Sequence, residues 1–306
     1  MIWTLADLGD QTGRTFAVTG ATSGLGRETA LQLALAGGRV ILAGRSPEKI
    51  KATADAIHRQ SPKAELESLV VDLADLASVR RAAARSVRLG AIDVLVNNAG
   101  VMATPHQRTA DGLDLQMATN HFGPFLFTGL LLPQLVATGA GRVVMVSSAM
   151  HHLARSAPLG DPRDASGPYR RWPVYAQTKL ANLLTTFELQ RRSDAEGLGL
   201  QALAAHPGYS ATNLLSYGQT MRQGGPLASV FDATARATAQ SAAMGALPIL
   251  MAATADLPGG TFCGPSGFRE LRGLPHIVTP SRLARSGNAQ RAMWRLSEET
   301  VGLRWP

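Results

Sequence analysis

A regular alternation runs along this chain and narrows its possible folds to very few. Short unbroken apolar runs alternate with segments of helical spacing. Thr15-Phe-Ala-Val-Thr19 is the first run, and it ends at glycines. Leu25 to Ala36 then has helical spacing and stops at Gly37-Gly38. Arg39-Val-Ile-Leu-Ala43 reads as a second strand, and Pro47 opens a helix running to about Gln60. Leu66 to Leu73 reads as a third strand, Asp75 to Leu89 as a third helix and Ile92 to Val96 as a fourth strand. A helix over Gly112 to Val136 and a fifth strand at Arg142 to Val146 follow. A helix over Val174 to Arg192 and a sixth strand at Leu200 to Ala205 continue the pattern. A helix around Ala235–Ala255 precedes a seventh strand at Thr261-Phe-Cys263, and Asn288 to Thr300 is helical by pattern. Continuous rather than alternating apolar strands are what burial on both faces produces. The expectation is one α/β domain over residues 1–306, with a doubly wound parallel sheet of about seven strands and helices on both faces.

Two stretches break the alternation: 149–173 and 208–227, both rich in Gly, Pro, Ser and Arg. Each begins at the C-terminal end of a strand, where open α/β sheets bind ligands, so they read as walls of a substrate pocket. Composition narrows the function. A net charge of +8 comes from arginines set singly or in pairs, without interleaved aromatics, which argues against nucleic acid. The single cysteine, Cys263, excludes an intrachain disulfide and fits a reducing compartment. The opening Met1-Ile-Trp-Thr-Leu-Ala-Asp7 does not read as a signal peptide. The apolar stretch Phe122–Val136 is broken by Pro124 and Pro133 and is too short to span a bilayer. The expected location is the cytoplasm. The histidines at 121, 151, 152 and 206 are not spaced as a metal site and read as pocket or structural residues.

Gly20-Ala-Thr22-Ser23-Gly24-Leu25-Gly26 joins the first strand to the first helix. Glycines there let the backbone approach a pyrophosphate closely, and the helix N-terminus offers free amides and positive dipole to it. The exit of the second strand separates the two nicotinamide dinucleotides. It carries Gly44-Arg45-Ser46, with no acid until Glu48. A carboxylate would hold a ribose 2′-hydroxyl, whereas a guanidinium clamps a 2′-phosphate, so NADP(H) is favoured over NAD(H). Asp72-Leu73 closes the third strand, where a carboxylate can accept from the adenine amino group. Asn97-Asn98-Ala99-Gly100 closes the fourth. Its asparagines can tie strand ends together, and its small pair leaves room for a ribose.

Tyr175 and Lys179 lie one helical turn apart and face the same side. A free phenol has a pKa of about 10, too high for a base at neutral pH. A neighbouring ammonium is expected to lower it; about two units would correspond to roughly 2.7 kcal/mol. Ser147 and Ser148 end the fifth strand, and either could donate to a substrate oxygen.

With these pieces in view, the chain resembles the short-chain dehydrogenase/reductase superfamily. The motifs fall in the family's order: Thr19-Gly-x-x-x-Gly-x-Gly26, Asp72, Asn97-Asn-Ala-Gly100, Asn120, Ser148, Tyr175-x-x-x-Lys179 and Pro207-Gly208. Within it the chain is similar to the retinol dehydrogenase/protochlorophyllide reductase-like branch. Ala43-Gly-Arg45, Asn120-His-Phe-Gly-Pro124, Tyr175-Ala-Gln-Thr-Lys-Leu-Ala-Asn182, His206-Pro-Gly208 and Gly264-Pro-Ser-Gly-Phe-x-Glu270 carry that likeness. The resemblance implies a Rossmann-type fold and an oxidoreductase that interconverts a ketone or aldehyde and an alcohol. It selects Ser148 from the serine pair and assigns Asn120 to anchoring a water that relays protons to Lys179. It places Pro207 and Gly208 at the cofactor. It also implies a homodimer paired through the helices around 112–136 and 174–192. Membrane-bound relatives carry an N-terminal anchor, and no such segment is read here, so the substrate need not be a membrane lipid. Leu, Met, Trp172 and Tyr217 in the pocket loops point to an apolar compound. The other reading is an NADP(H)-binding regulatory or sensor protein without turnover. Such a protein would be expected to lose the Tyr or the Lys.

Overall fold

The structure, a computed structural model, describes residues 3–209 and 240–305. An eight-stranded sheet runs in the order β3-β2-β1-β4-β5-β6-β7-β8. Its strands are β1 Thr15–Thr19, β2 Arg39–Gly44, β3 Leu66–Val70, β4 Val94–Asn97, β5 Arg142–Val146, β6 Gln201–Ala205, β7 Phe262–Pro265 and β8 Pro275–Ile277. The first seven are parallel. The strand beyond the seven expected is β8, which pairs antiparallel to β7. It is only three residues long, too short to show a period.

The order places β1 beside both β2 and β4. The chain therefore reverses its winding between β1 and β4, and a crevice opens beyond their C-terminal ends. Alternate residues of each strand enter opposite cores. Phe16 and Val18 belong to one core with Leu33 and Leu250, while Ala17 belongs to the other with Leu126 and Trp294. Helices α1 Gly24–Leu35, α2 Pro47–His58 and α7 Ala242–Thr254 cover the first side. Helices α3 Leu76–Ser86, α5 Gly123–Val136, α6 Arg171–Glu196 and α8 Gly287–Val301 cover the second.

Several boundaries differ from the sequence reading. β3 stops at Val70, and Asp72 instead makes a turn in which its Oδ1 accepts from the Ala74 amide at 2.9 Å. The apolar run continues to Leu73 because it is buried under α3 and α5, so apolarity overstates the strand. The helix expected over 112–136 is three pieces: α4 Leu115–Met117, a π-helical stretch Ala118–Phe122, and α5. Pro124 has no N–H for the Asn120 carbonyl, and the Gly123 amide reaches back to Ala118 O. Helix α6 begins three residues early, at Arg171, because Pro173 sits in the first turn, where its missing N–H costs nothing.

The loop 149–173 opens with a 3₁₀ turn, Ala149–Leu153. Farther on it is tied down: Tyr169 donates to Thr104 O at 3.0 Å and accepts from Gln116 Nε2 at 2.7 Å. Of the second expected loop, 208–227, only Gly208 and Tyr209 lie among the described residues, as does only the later part of the helix expected around 235–255.

The outer face of α6 is packed by α8. Trp294 is fully buried, with Phe125 at 4.9 Å, Trp305 at 4.7 Å and the Arg192 guanidinium 4.7 Å above its ring. On α5, a Cβ at Gly129 would sit 2.9 Å from Leu303 and Trp305. The faces of α5 and α6 expected to pair two copies are thus covered in part by this chain's own C-terminal segment.

Candidate active site

The turn after β1 has the conformation its glycines permit. Gly20 and Gly24 have φ of +68° and +51°, a region that side chains disfavour. Gly26 is helical, but a Cβ there would run into Gly20 O and the Asn98 amide nitrogen. Thr22, Ser23 and Leu25 complete the turn, with Ser23 extended at the N-cap of α1. The bare backbone and the uncapped helix start form the cradle expected for a pyrophosphate, so the residues present fit a dinucleotide.

Thr19 is the latch of this crevice, and its role was not legible in sequence. Its hydroxyl accepts from the backbone N–H of Asn98 and of Ala99, each at 3.0 Å. The Asn98 side chain donates to Thr19 O at 2.8 Å, so β1 and β4 are joined at their C-terminal ends. Asn97 points the other way, to Thr128 at 2.8 Å. A hydroxyl-bearing residue ending an otherwise apolar strand was the only available signal.

At the end of β2, Arg45 is exposed next to the cradle; a Cβ on its neighbour Gly44 would meet the Thr22 methyl at 3.1 Å. The nearby acid is engaged elsewhere. The Ser46 hydroxyl donates to Glu48 at 2.6 Å and holds that carboxyl below its usual range.

The polar centre lies beyond β4 and β5. Asn120, buried in the π stretch, accepts from the Val101 amide at 2.7 Å and donates to Val101 O at 2.9 Å and to Thr178 Oγ1 at 3.0 Å. Its place in a distorted helix explains an amide at a position of poor helix propensity. Gly100 runs between Asn120 and Lys179: a Cβ there would sit 3.0 Å from Asn120 Oδ1 and 3.6 Å from Lys179 Nζ.

The two serines separate cleanly. Ser147 donates to Lys179 O at 2.8 Å and is consumed by the fold. Ser148 is half-buried; its Oγ accepts from the Met150 amide at 3.2 Å, and its hydroxyl acts on the Tyr175 phenol. Lys179 Nζ donates to Val146 O at 3.0 Å and lies 5.7 Å from the Tyr175 ring centre. Tyr175, Lys179, Ser148, Asn120 and Gly100 are therefore brought together.

The electrostatics correct one expectation. Burial pushes the Tyr175 phenol up to about 12, against a smaller opposing effect of the Ser148 hydrogen bond. Burial likewise pushes Lys179 down to about 8. The phenol is thus not lowered by the ammonium. It is a protonated donor at neutral pH, because its desolvation outweighs its hydrogen bond.

Pro207 and Gly208 follow β6. Gly208 has φ of +66°, and its amide donates to His206 Nδ1 at 3.3 Å. Buried His206 Nε2 lies 3.0 Å from Glu270, which binds that carboxyl below its ordinary range. His151 Nδ1 donates to Ser148 O at 2.7 Å, and its Nε2 accepts from the Ser281 amide at 3.1 Å. Those two histidines brace the loop ends around the pocket. Among the described residues no group of His, Cys, Asp and Glu could hold a metal ion, and no helix is long and apolar enough to cross a membrane.

A cavity of about 360 Å³ opens one turn up α6, lined by residues including Thr104, Pro105, Tyr169, Arg170 and Trp172. Trp172 meets Tyr175 edge to face at 6.5 Å, so the end of the 149–173 loop forms one wall.

Comparison with known proteins agrees with this arrangement. Residues 14–158 match the short chain dehydrogenase family. Human retinol dehydrogenase 12 is 34% identical over 294 residues, which are 96% of this chain and 88% of that protein. Human retinol dehydrogenase 13 is 41% identical over 203 residues, 66% of this chain and 60% of that protein. A crystal structure of an uncharacterized protein from Mycobacterium paratuberculosis superposes with a TM-score of 0.82 at 42% identity, covering 100% of both chains. A candidate NAD(P) dependent gluconate 5-dehydrogenase from Beutenbergia cavernae, crystallised with NADP, gives a TM-score of 0.61 at 26% identity over 80% of this chain and 91% of that one. A glycine turn latched to β4, a Ser–Tyr–Lys–Asn cluster at the strand ends and full-length likeness to retinol dehydrogenases lead to one conclusion: this chain belongs to the short-chain dehydrogenase/reductase superfamily of NAD(P)-dependent oxidoreductases, in its retinol dehydrogenase-like branch.

Proposed function

We propose that this protein is an NADP(H)-dependent oxidoreductase that interconverts an apolar ketone or aldehyde and the corresponding alcohol. One observation carries the reading: Lys179 Nζ lies 5.7 Å from the Tyr175 ring centre, one helical turn behind it, with Gly100 and Asn120 packed beside the ammonium next to the glycine cradle. The crevice residues would hold a nicotinamide dinucleotide, which would supply the hydride chemistry at the carbonyl carbon. The chain's own residues manage the proton and the pose. Ser148 donates to the substrate oxygen and fixes it against the phenol. Tyr175 gives its proton to that oxygen during reduction and takes it back during oxidation. Lys179 holds positive charge near the developing phenolate and can bind ribose hydroxyls. Asn120, locked by Val101 and Thr178, holds the water that returns protons to Lys179.

Gly20, Thr22, Ser23, Gly24, Leu25 and Gly26 would cradle the pyrophosphate. Asp72 and Leu73 would border the adenine, Asn98, Ala99 and Gly100 the ribose, and Pro207 and Gly208 the nicotinamide. Arg45 supports NADP(H) over NAD(H), and the Beutenbergia cavernae neighbour was crystallised with NADP. The relatives' names include retinol, a bulky apolar alcohol, which is consistent with a wall formed by Trp172 and Pro105.

The test is oxidation of NADPH, and separately of NADH, with a panel of apolar aldehydes and ketones. Turnover with NADPH preferred is expected. Tyr175→Phe should lower kcat by about 10²–10⁴ with NADPH affinity retained, the range of a lost acid/base group. A Phe variant within tenfold of the original rate would refute the assignment, and binding without any turnover would favour a sensor.

A further inference from the structure

We infer that His121 and Ser297 are positioning residues for Lys179, acting through Asn182 and the Val146 carbonyl, which makes the C-terminal helix α8 part of the active centre. This rests on the proposed catalytic role of Lys179.

The inference stands on a chain of buried polar contacts whose direction is set from the Val146 end. Lys179 Nζ and Asn182 Nδ2 both reach Val146 O, at 3.0 and 3.2 Å. Asn182 Oδ1 lies 3.3 Å from His121 Nδ1, and His121 Nε2 lies 2.8 Å from Ser297 Oγ. All four side chains are at most 5% exposed. A carbonyl oxygen only accepts, so the amide nitrogen of Asn182 must face Val146 and its oxygen must face His121. That oxygen also only accepts, so the proton of His121 sits on Nδ1. Burial holds the imidazole neutral, its pKa pushed down to about 4. Nε2 is then a lone pair facing the Ser297 hydroxyl at 2.8 Å. The Ser297 hydroxyl also has Met293 O at 2.7 Å as a competing acceptor, so its single proton chooses between them. The chain thus runs from α8, through the π stretch and α6, to the end of β5.

What it sets is the carbonyl that holds the lysine. Val146 O has two lone pairs, and Asn182 occupies one, so the ammonium is confined to the other. Burial is the cause of the low pKa of Lys179, and no carboxylate contributes to it. The titratable side chain beside it is Tyr175 on its own helix, and the neighbouring π stretch presents neutral Asn120. If the chain is broken, Asn182 is free to turn away, the second lone pair returns to the ammonium, and its charged form gains.

The experiment uses the full chain, unmodified and as H121F, H121Q and S297A. The pH dependence of NADPH-driven carbonyl reduction and of NADPH affinity is measured alongside the melting temperature. In H121F the alkaline midpoint should move up by about 0.3 unit or more, a twofold change in the proton equilibrium. S297A should move it the same way by less, and H121Q, which restores a donor to Asn182, should return it toward the original. If H121F does not fold, S297A and Asn182→Ala carry the same expectation. Midpoints that stay put in every folded variant, while kcat falls only with melting temperature, would overturn the inference and leave the chain a packing feature. An unmodified protein that neither binds NADPH nor reduces any carbonyl would instead overturn the proposed function, and the inference with it.

Discussion

Acid should destabilise this protein well before its carboxylates titrate, and His121 accounts for much of the effect. His121 and His151 are both fully buried, and burial pushes each down to about 4 from an ordinary 6.5. The sign follows from linkage. Between pH 6.5 and 4 the unfolded chain binds protons at these sites and the folded chain does not, so stability falls as pH falls. At pH 5 an unfolded histidine is almost fully protonated and a folded one hardly at all, so each site costs about 2 kcal/mol relative to pH 7. His151 lies against His152 and within range of Glu270, so about 2 kcal/mol is an upper bound for it. The pair removes up to ~4 kcal/mol from a total that for a domain is ~5–15 kcal/mol. Urea unfolding followed by circular dichroism at pH 7 and pH 5 measures the difference. H121F should halve it, whatever that substitution does to stability at pH 7. Equal unfolding free energies at the two pH values, or an unchanged difference in H121F, would refute the argument that desolvation keeps these rings neutral.

Four other outcomes are expected. Arg45→Asp should weaken NADPH binding by about 1.5–3 kcal/mol, the scale of a lost charge-assisted bond, with little effect on NADH; fluorescence titration of both cofactors checks it. Arg269 and Glu270 hold φ of +50° and +57°, so Arg269→Gly should raise stability by about 1 kcal/mol in chemical denaturation, since glycine adopts that region without strain. Because α8 covers faces of α5 and α6, the protein should sediment near its monomer mass of 32.2 kDa. Trp294→Ala should cost about 3–5 kcal/mol by emptying that contact, and a dimer in sedimentation equilibrium would count against the covered-face argument.

Much of the fold was legible because burial on both sides of a parallel sheet leaves a one-dimensional trace. β1, β2, β5 and β6 lie within a residue of their apolar runs, and the glycines after β1 stand where positive φ and close approach require them. The grouping of the candidate site was legible in part. Tyr175 and Lys179 share a helix face by local spacing, and the strand ends that meet them follow from the winding of the sheet. Apolarity alone misplaced what tertiary contact decides. Leu73 is buried without being in a strand, and the break at Asn120 depends on Pro124 and on the partners Val101 and Thr178. Sequence could not tell Ser147 from Ser148 by chemistry; the structure could, because the buried Ser147 hydroxyl is spent on Lys179 O while Ser148 is half-buried beside the phenol.

The parallel sheet and the glycine turn after β1 could be read along the chain, since each rests on local periodicity or on residues a few positions apart. Packing set the upward shift of the phenol, the latch at Thr19 and the reach of α8 toward the lysine. Desolvation depends on what the whole chain packs around a group. A hydrogen bond between residues 121 and 297 joins groups that are neighbours only after the sheet has been wound and the last helix laid across it.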